Sequence, residues 1–130
     1  MNSIELIHSQ DGEIDYKEIK DIANQTLLSF GINNGLVEIN FVSSSEIRIL
    51  NKNNRDIDRP TDVLSFPQIR LKGAKQVVLG TIVVCPEIVS DKKEDLADVI
   101  KHGILHLLGY DHEDDDIEWQ KQAMLINCKL

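Results

Sequence analysis

Long apolar runs, aromatic rings, paired cysteines and an excess of basic charge are all missing or scarce in this chain of 130 residues. No apolar stretch approaches the roughly 20 residues that a membrane span needs, so no membrane partner is expected. The opening MNSIELIHSQDGEID lacks a basic start followed by an apolar stretch, which argues against a signal peptide. Cys85 and Cys128 lie far apart and form no CxxC. They suggest free thiols in a reducing cytoplasm, not a disulfide framework. Only 5% of residues are aromatic, too few for the stacking platform of a typical RNA-binding module. There is no internal repeat, no low-complexity tract and no linker of the kind that separates domains.

What is present suits one folded unit. The chain is 42% hydrophobic and 28% charged, ordinary values for a soluble globular protein. Residues 1–130 are long enough for one domain with a real core and too short for two ordinary ones.

The formal net charge is −8, from 22 acids against 14 bases. Taken alone, that opposes a nucleic-acid partner. The distribution is uneven, however. Residues 48–75 carry seven bases (Arg48, Lys52, Arg55, Arg59, Arg70, Lys72, Lys75) against three acids, whereas residues 87–119 carry eleven acids against three lysines. Two readings stand side by side: two solvated surfaces of opposite sign, or an anionic ligand met by the basic segment alone.

Periodicity predicts an α+β or α/β domain. Residues 3–9 alternate weakly, as a strand does. Asp15 is placed to cap a helix carrying Tyr16, Ile19, Ile22, Ala23, Thr26, Leu27 and Phe30, ended by Gly31. Leu36–Val42 alternates as a strand, and residues 43–45 cap a short helix expected over 45–53. Residues 53–60 read as a loop, and 63–66 and 77–84 as two further strands. From Pro86 to Leu108 the spacing is helical, with a break near Ser90-Asp91 and a stop at Gly109. Glu113–Asp116 then supplies acids for the first turn of a final helix bearing Ile117, Ala123, Met124 and Ile126, where they suit the positive end of its dipole.

Three of the four histidines fall in one short segment, His102-Gly103-Ile104-Leu105-His106-Leu107-Leu108-Gly109-Tyr110-Asp111-His112. Residues four apart on a helix are neighbours on one face, so His102 and His106 can share a metal ion. Gly109 permits a left-handed turn, after which His112 can approach from another direction. Three neutral imidazoles leave a fourth tetrahedral position for water, the open arrangement of a catalytic zinc site. His8, isolated in a strand, is read as structural. The metzincin proteases carry H-E-x-x-H-x-x-G-x-x-H. Here Gly103 stands where a protease needs its glutamate base, so peptide chemistry is not expected.

The same segment resembles the H-G-x-L-H-L-x-G-Y-D-H signature of the YbeY family, bacterial endoribonucleases of ribosomal RNA maturation and ribosome quality control. Arg59-Pro60-Thr61-Asp62-Val63-Leu64-Ser65-Phe66-Pro67 is similar to the family's stretch ending P-T-D-V-L-S-F-P, and Leu79-Gly80-Thr81-Ile82-Val83-Val84-Cys85 to its L-G-D-I-V-I-C strand. The resemblance implies a zincin-like α+β fold, a small mixed sheet of about four strands flanked by helices. It implies one zinc ion held by His102, His106 and His112, and makes Arg59 the residue linked to RNA cleavage. It also implies cytoplasmic action on single-stranded ribosomal RNA, at the small-subunit 3′ end and on the ribosome, with ribosomal proteins or an assembly GTPase as further partners. Two positions depart from the family: Thr81 replaces its usual Asp, and Asp98 stands where it often has His.

The surrounding residues carry alternatives. Arg59 can hold a phosphate bidentately or pair with Asp56, Asp58 or Asp62. Arg55 and Lys52 are candidate RNA contacts. Tyr110 and Phe66 can stack on a base, but Phe66 is expected in the core and Tyr110 beneath the metal turn. Asp111 can orient a ligand histidine or cap the turn. Asp98, on the face of His102, is expected to be solvated. The chemistry expected is metal-assisted hydrolysis of phosphodiesters. Its rivals are a metalloprotease and a ribosome-assembly binding factor with structural zinc.

Overall fold

A computed structural model describes residues 1–8, 14–68, 77–111 and 115–128, leaving the side chain of His8 undescribed. The described residues form β1 (Ser3–His8), α1 (Tyr16–Ser29), β2 (Gly35–Phe41), α2 (Ser44–Arg55), β3 (Val63–Pro67), β4 (Val77–Val84), α3 (Pro86–Asp91), α4 (Leu96–Leu107) and α5 (Asp116–Leu125). The four strands make one mixed sheet in the order β1-β2-β4-β3. β1–β2 and β2–β4 are parallel, while β3 runs antiparallel to β4. This is the expected α+β domain with a small mixed sheet.

The sheet is covered on both faces. Val37, Ile39 and Phe41 of β2, with Ile82 and Val84 of β4, pack against Ile19, Ala23 and Leu27 of α1 and Val99, Ile100 and Ile104 of α4. On the other face, Leu64 and Val83 meet Ile47 of α2. The alternating burial of β2 follows its alternating sequence. β4 is apolar at every position except Gly80 and Thr81, because it is an inner strand with helices on both sides.

Helix starts follow local chemistry. Asp15 caps α1 by accepting from Glu18 N, and Ser43 and Glu46 form a reciprocal capping box on α2. That box starts α2 at Ser44, and the helix runs to Arg55, longer at both ends than the expected 45–53. Lys52 and Arg55 occupy its last turn, where cations suit the negative end of the dipole. Arg55 is therefore helical, not part of a loop.

Other expectations are corrected. Asp98 is 9% exposed on α4, so it is buried, not solvated. Phe66 is half-buried, not a full core residue. α5 begins at Asp116 with Asp115 as its cap; Glu113 and Asp114 lie outside the described residues. Ile117 and Met124 point outward, 84% and 81% exposed, because the buried stripe of α5 is Trp119 and Ala123, followed by Ile126.

Candidate active site

α4 supplies the centre of the site. His102 and His106, one helical turn apart, bring their Nε2 atoms to 3.1 Å. Their rings meet edge-on at a centroid distance of 4.7 Å. Trp119, 2% exposed, packs on both rings, at 4.8 Å from His102 and 5.1 Å from His106. The single tryptophan thus restricts the rotamers of both imidazoles. Sequence reasoning missed it, because nothing in its local pattern ties α5 to α4.

The spacing of the two nitrogens suits one ion. Zinc–imidazole bonds of about 2.0–2.1 Å at a tetrahedral angle place two ligand nitrogens about 3.3–3.4 Å apart. His102 and His106 therefore fit as two ligands of a zinc-type ion. Among the described residues no group of three His, Cys, Asp or Glu side chains could hold a metal. His112, the third expected ligand, lies outside them. The turn leading towards it is described: Gly109 N donates to His106 O and Tyr110 N to Leu105 O, with Gly109 at φ +95°. A side chain is strained at that angle, so glycine ends the helix and turns the chain.

The two histidines line a cavity of about 750 Å³. One wall is Val63–Pro67 of β3, held to α4 by Ser65 Oγ donating to Gly103 O at 3.3 Å. Gly109, Tyr110 and Asp111 close the end beyond α4. Tyr110 also stacks obliquely on Phe30 at 6.0 Å, and the Asp111 carbonyl accepts from Asp115 N at 2.9 Å.

The basic residues divide. Arg55, with Asn54, lines the cavity; Arg59 and Lys52 do not. Arg59 is exposed, and its carbonyl accepts from Asn51 Nδ2 at 2.9 Å. The aspartates considered as its partners are engaged elsewhere: Asp58 with Arg48 at 2.9 Å, Asp56 with Lys52 at 2.6 Å and Asp62 with Lys92 at 3.7 Å. Arg70, Lys72 and Lys75 lie outside the described residues.

A pair of carboxylates that the sequence did not announce also faces the cavity, Asp62 and Glu94. They are hydrogen-bonded to each other, and Lys92 Nζ lies 3.9 Å from Glu94 Oε1. Burial, together with the hydrogen bond to Asp62 and its charge, pushes the Glu94 carboxyl up to about 7. Burial pulls Asp62 the same way. The hydrogen bond with Glu94, the charge of Lys92 and the bonds from Thr61 and Val63 outweigh it and hold Asp62 below the ordinary carboxylate range. The pair therefore shares one proton near neutrality.

The geometry can be set beside known proteins. Residues 6–125 match the family model described as Endoribonuclease YbeY. The chain belongs to the YbeY family. Relatives named endoribonuclease YbeY include one from Sulfurihydrogenibium, 39% identical over 80% of this chain and 74% of its own length. Another, from Aliarcobacter butzleri, is 40% identical over 88% of this chain and 83% of its own. A third, from Aquifex aeolicus, is 35% identical over 96% and 88%. A solution structure of a Thermotoga maritima protein superposes with a TM-score of 0.60 at 31% identity, covering 95% of this chain and 87% of that one. The YbeY match spans every element that lines the cavity or packs on its histidines, from α2 through α5.

Proposed function

We propose that this YbeY-family chain is a metal-dependent endoribonuclease that cuts phosphodiester bonds of single-stranded ribosomal RNA, with His102, His106 and His112 holding one zinc ion. The observation that carries the reading is the pair of imidazole nitrogens 3.1 Å apart in a cavity that Arg55 also lines. The names of the relatives supply RNA as the substrate class. Maturation of the small-subunit rRNA 3′ end and ribosome quality control in the cytoplasm complete the proposal.

When bound, zinc supplies Lewis-acid polarisation of a phosphoryl oxygen and lowers the pKa of water. The chain's own groups do the rest. Trp119 fixes the two imidazoles before substrate arrives. The Arg55 guanidinium offers planar, paired donors to a phosphate and offsets charge that grows in the transition state. The proton shared by Asp62 and Glu94 reduces the negative charge that this wall turns towards a phosphate. Gly103 adds no base, which disfavours peptide hydrolysis.

Single-turnover cleavage of a ribosomal RNA fragment, with sequencing of the new ends, tests the proposal. A 5′-phosphate product indicates water as nucleophile; a 2′,3′-cyclic phosphate indicates the 2′-hydroxyl. The same assay decides between the arginines. Arg55→Ala and Arg55→Lys should both lose about 10²–10³ in rate, because an ammonium does not reproduce the bidentate contact. Wild-type rates for both Arg55 variants, with a comparable loss in Arg59→Ala, would return the role to Arg59. Intact RNA after incubation with metal-loaded wild type would overturn the endoribonuclease reading.

A further inference from the structure

A second cavity, of about 560 Å³, lies along α2. It is lined by Arg48, Ile49, Lys52 and Asn53 and bounded by Asp58 and Pro60. Asn54 and Arg55, next on the same helix, line the histidine cavity. Arg48, Lys52 and Arg55 follow one another at i, i+4 and i+7, so they form a single cationic stripe that joins the two cavities. This stripe is positive in a chain whose net charge is −8.

We infer that the groove along α2 is a flanking subsite for the RNA strand whose scissile phosphate lies at the histidines. The inference rests on the cleavage reading above. Two features favour a nucleotide strand over an acidic peptide. First, the groove is amphipathic: Ile49 is 61% exposed beside Pro60, giving a base an apolar surface while its phosphate meets the cations. Second, the cations are available. Arg48 pairs with Asp58 through Nε, and Lys52 with Asp56, but all four side chains are more than half exposed. Exposed pairs of this kind are weak and screened by salt. The bond recorded for Arg48 uses one of five guanidinium N–H donors.

The register follows from the helix. Seven residues separate Arg48 from Arg55, a rise of about 10 Å. At about 3.4 Å per stacked nucleotide, the groove meets the strand roughly three nucleotides from the phosphate at Arg55.

The test is equilibrium binding of fluorescent single-stranded RNA, read by anisotropy across a salt series. The probes are a strand of about twelve nucleotides, within the span such channels hold, and versions trimmed from each end. Arg48→Ala should weaken the full strand several-fold and lower the slope of log Kd against log salt by about 0.7, the value for one single-strand phosphate. Trimming one end, and not the other, should abolish that difference. Ile49→Ser should weaken the strand without changing the slope. Both side chains are exposed, so neither change threatens the fold.

Unchanged affinity and slope in Arg48→Ala would overturn the inference. It would also fall if poly-glutamate displaces the strand, loses affinity in Arg48→Ala, and Ile49→Ser affects neither ligand; the groove would then belong to an acidic protein segment. Because binding is read without turnover, a wild type that binds but never cuts overturns the cleavage reading separately.

Discussion

Glu94 shows how one residue acquires a property that its neighbours in sequence do not predict. It lies 32 positions from Asp62, yet the fold places both on one cavity wall, each side chain 16% exposed. The folded Glu94 carboxyl titrates near 7 instead of 4.5. A raised acid pKa means the folded state keeps a proton that the unfolded chain releases. Its contribution to stability is full below about pH 4.5 and is lost as pH rises through about 7. Asp62 runs the other way: its lowered pKa contributes above the ordinary carboxylate range, and that contribution is lost in acid. Glu94→Gln keeps a donor for Asp62 and removes the titration. It should already exceed wild type at pH 5.5, which lies above the unfolded pKa, and its advantage should grow by on the order of 1–2 kcal/mol between pH 5.5 and pH 8.5. Urea midpoints at the two pH values check this, and parallel behaviour of the two proteins would remove the shared proton. The histidine pair, by contrast, was legible in advance, because i, i+4 spacing alone sets the proximity. Arg55 was harder to read, since its position depends on where α2 ends.

α4 and β4 illustrate what an element's pattern does and does not reveal. The apolar spacing of α4 announced a helix, and β2 announced itself by strict alternation. Gly103 was different. Read along the chain, it marks a glutamate that a protease would need. In the fold it is a point of close approach: a Cβ there would lie 2.9 Å from Ile82 Cγ2 and 3.0 Å from Ile82 Cδ1. Ile82 is fully buried and β-branched, so it cannot swing aside. Gly103→Ala should therefore destabilise by up to about 2 kcal/mol, the overpacking cost of about 1–3 kcal/mol less a helix-propensity gain of about 1 kcal/mol. Ile82→Ala removes the three nearest atoms, Cγ2, Cδ1 and Cγ1. In that background the Gly103→Ala cost should vanish or reverse, a coupling that denaturant titration of the four proteins measures. Additive effects would mean that α4 shifts freely on the sheet. Gly80 makes the same case on β4, at φ +138° with a would-be Cβ 2.2 Å from Phe66 O. α5 was the least legible element, because Ile117 and Met124 imitate a buried stripe while Trp119 and Ala123 form the real one.

At the scale of the whole molecule, the metal and the fold should report on each other. His102 and His106 are spaced for an ion only when α4 is helical and Trp119 of α5 packs against them. The unfolded chain holds no such arrangement, so metal that binds the native state must stabilise it by mass action. At a free concentration about 100 times Kd the gain is roughly 2.7 kcal/mol. For a domain of this length that raises Tm by about 10 °C. Both cysteines are buried in the folded chain, so they do not compete for the ion there. The rise should disappear in the double variant His102→Ala, His106→Ala and shrink in His112→Ala, which tests the third ligand directly. It should also fade at about pH 5, because imidazoles must lose their protons to bind. Thermal scans with and without zinc, at pH 7.5 and pH 5, provide the measurement and require no RNA cleavage. An equal zinc-dependent rise in wild type and double variant would place the ion elsewhere and leave the two histidines as a hydrogen-bonded pair beneath Trp119.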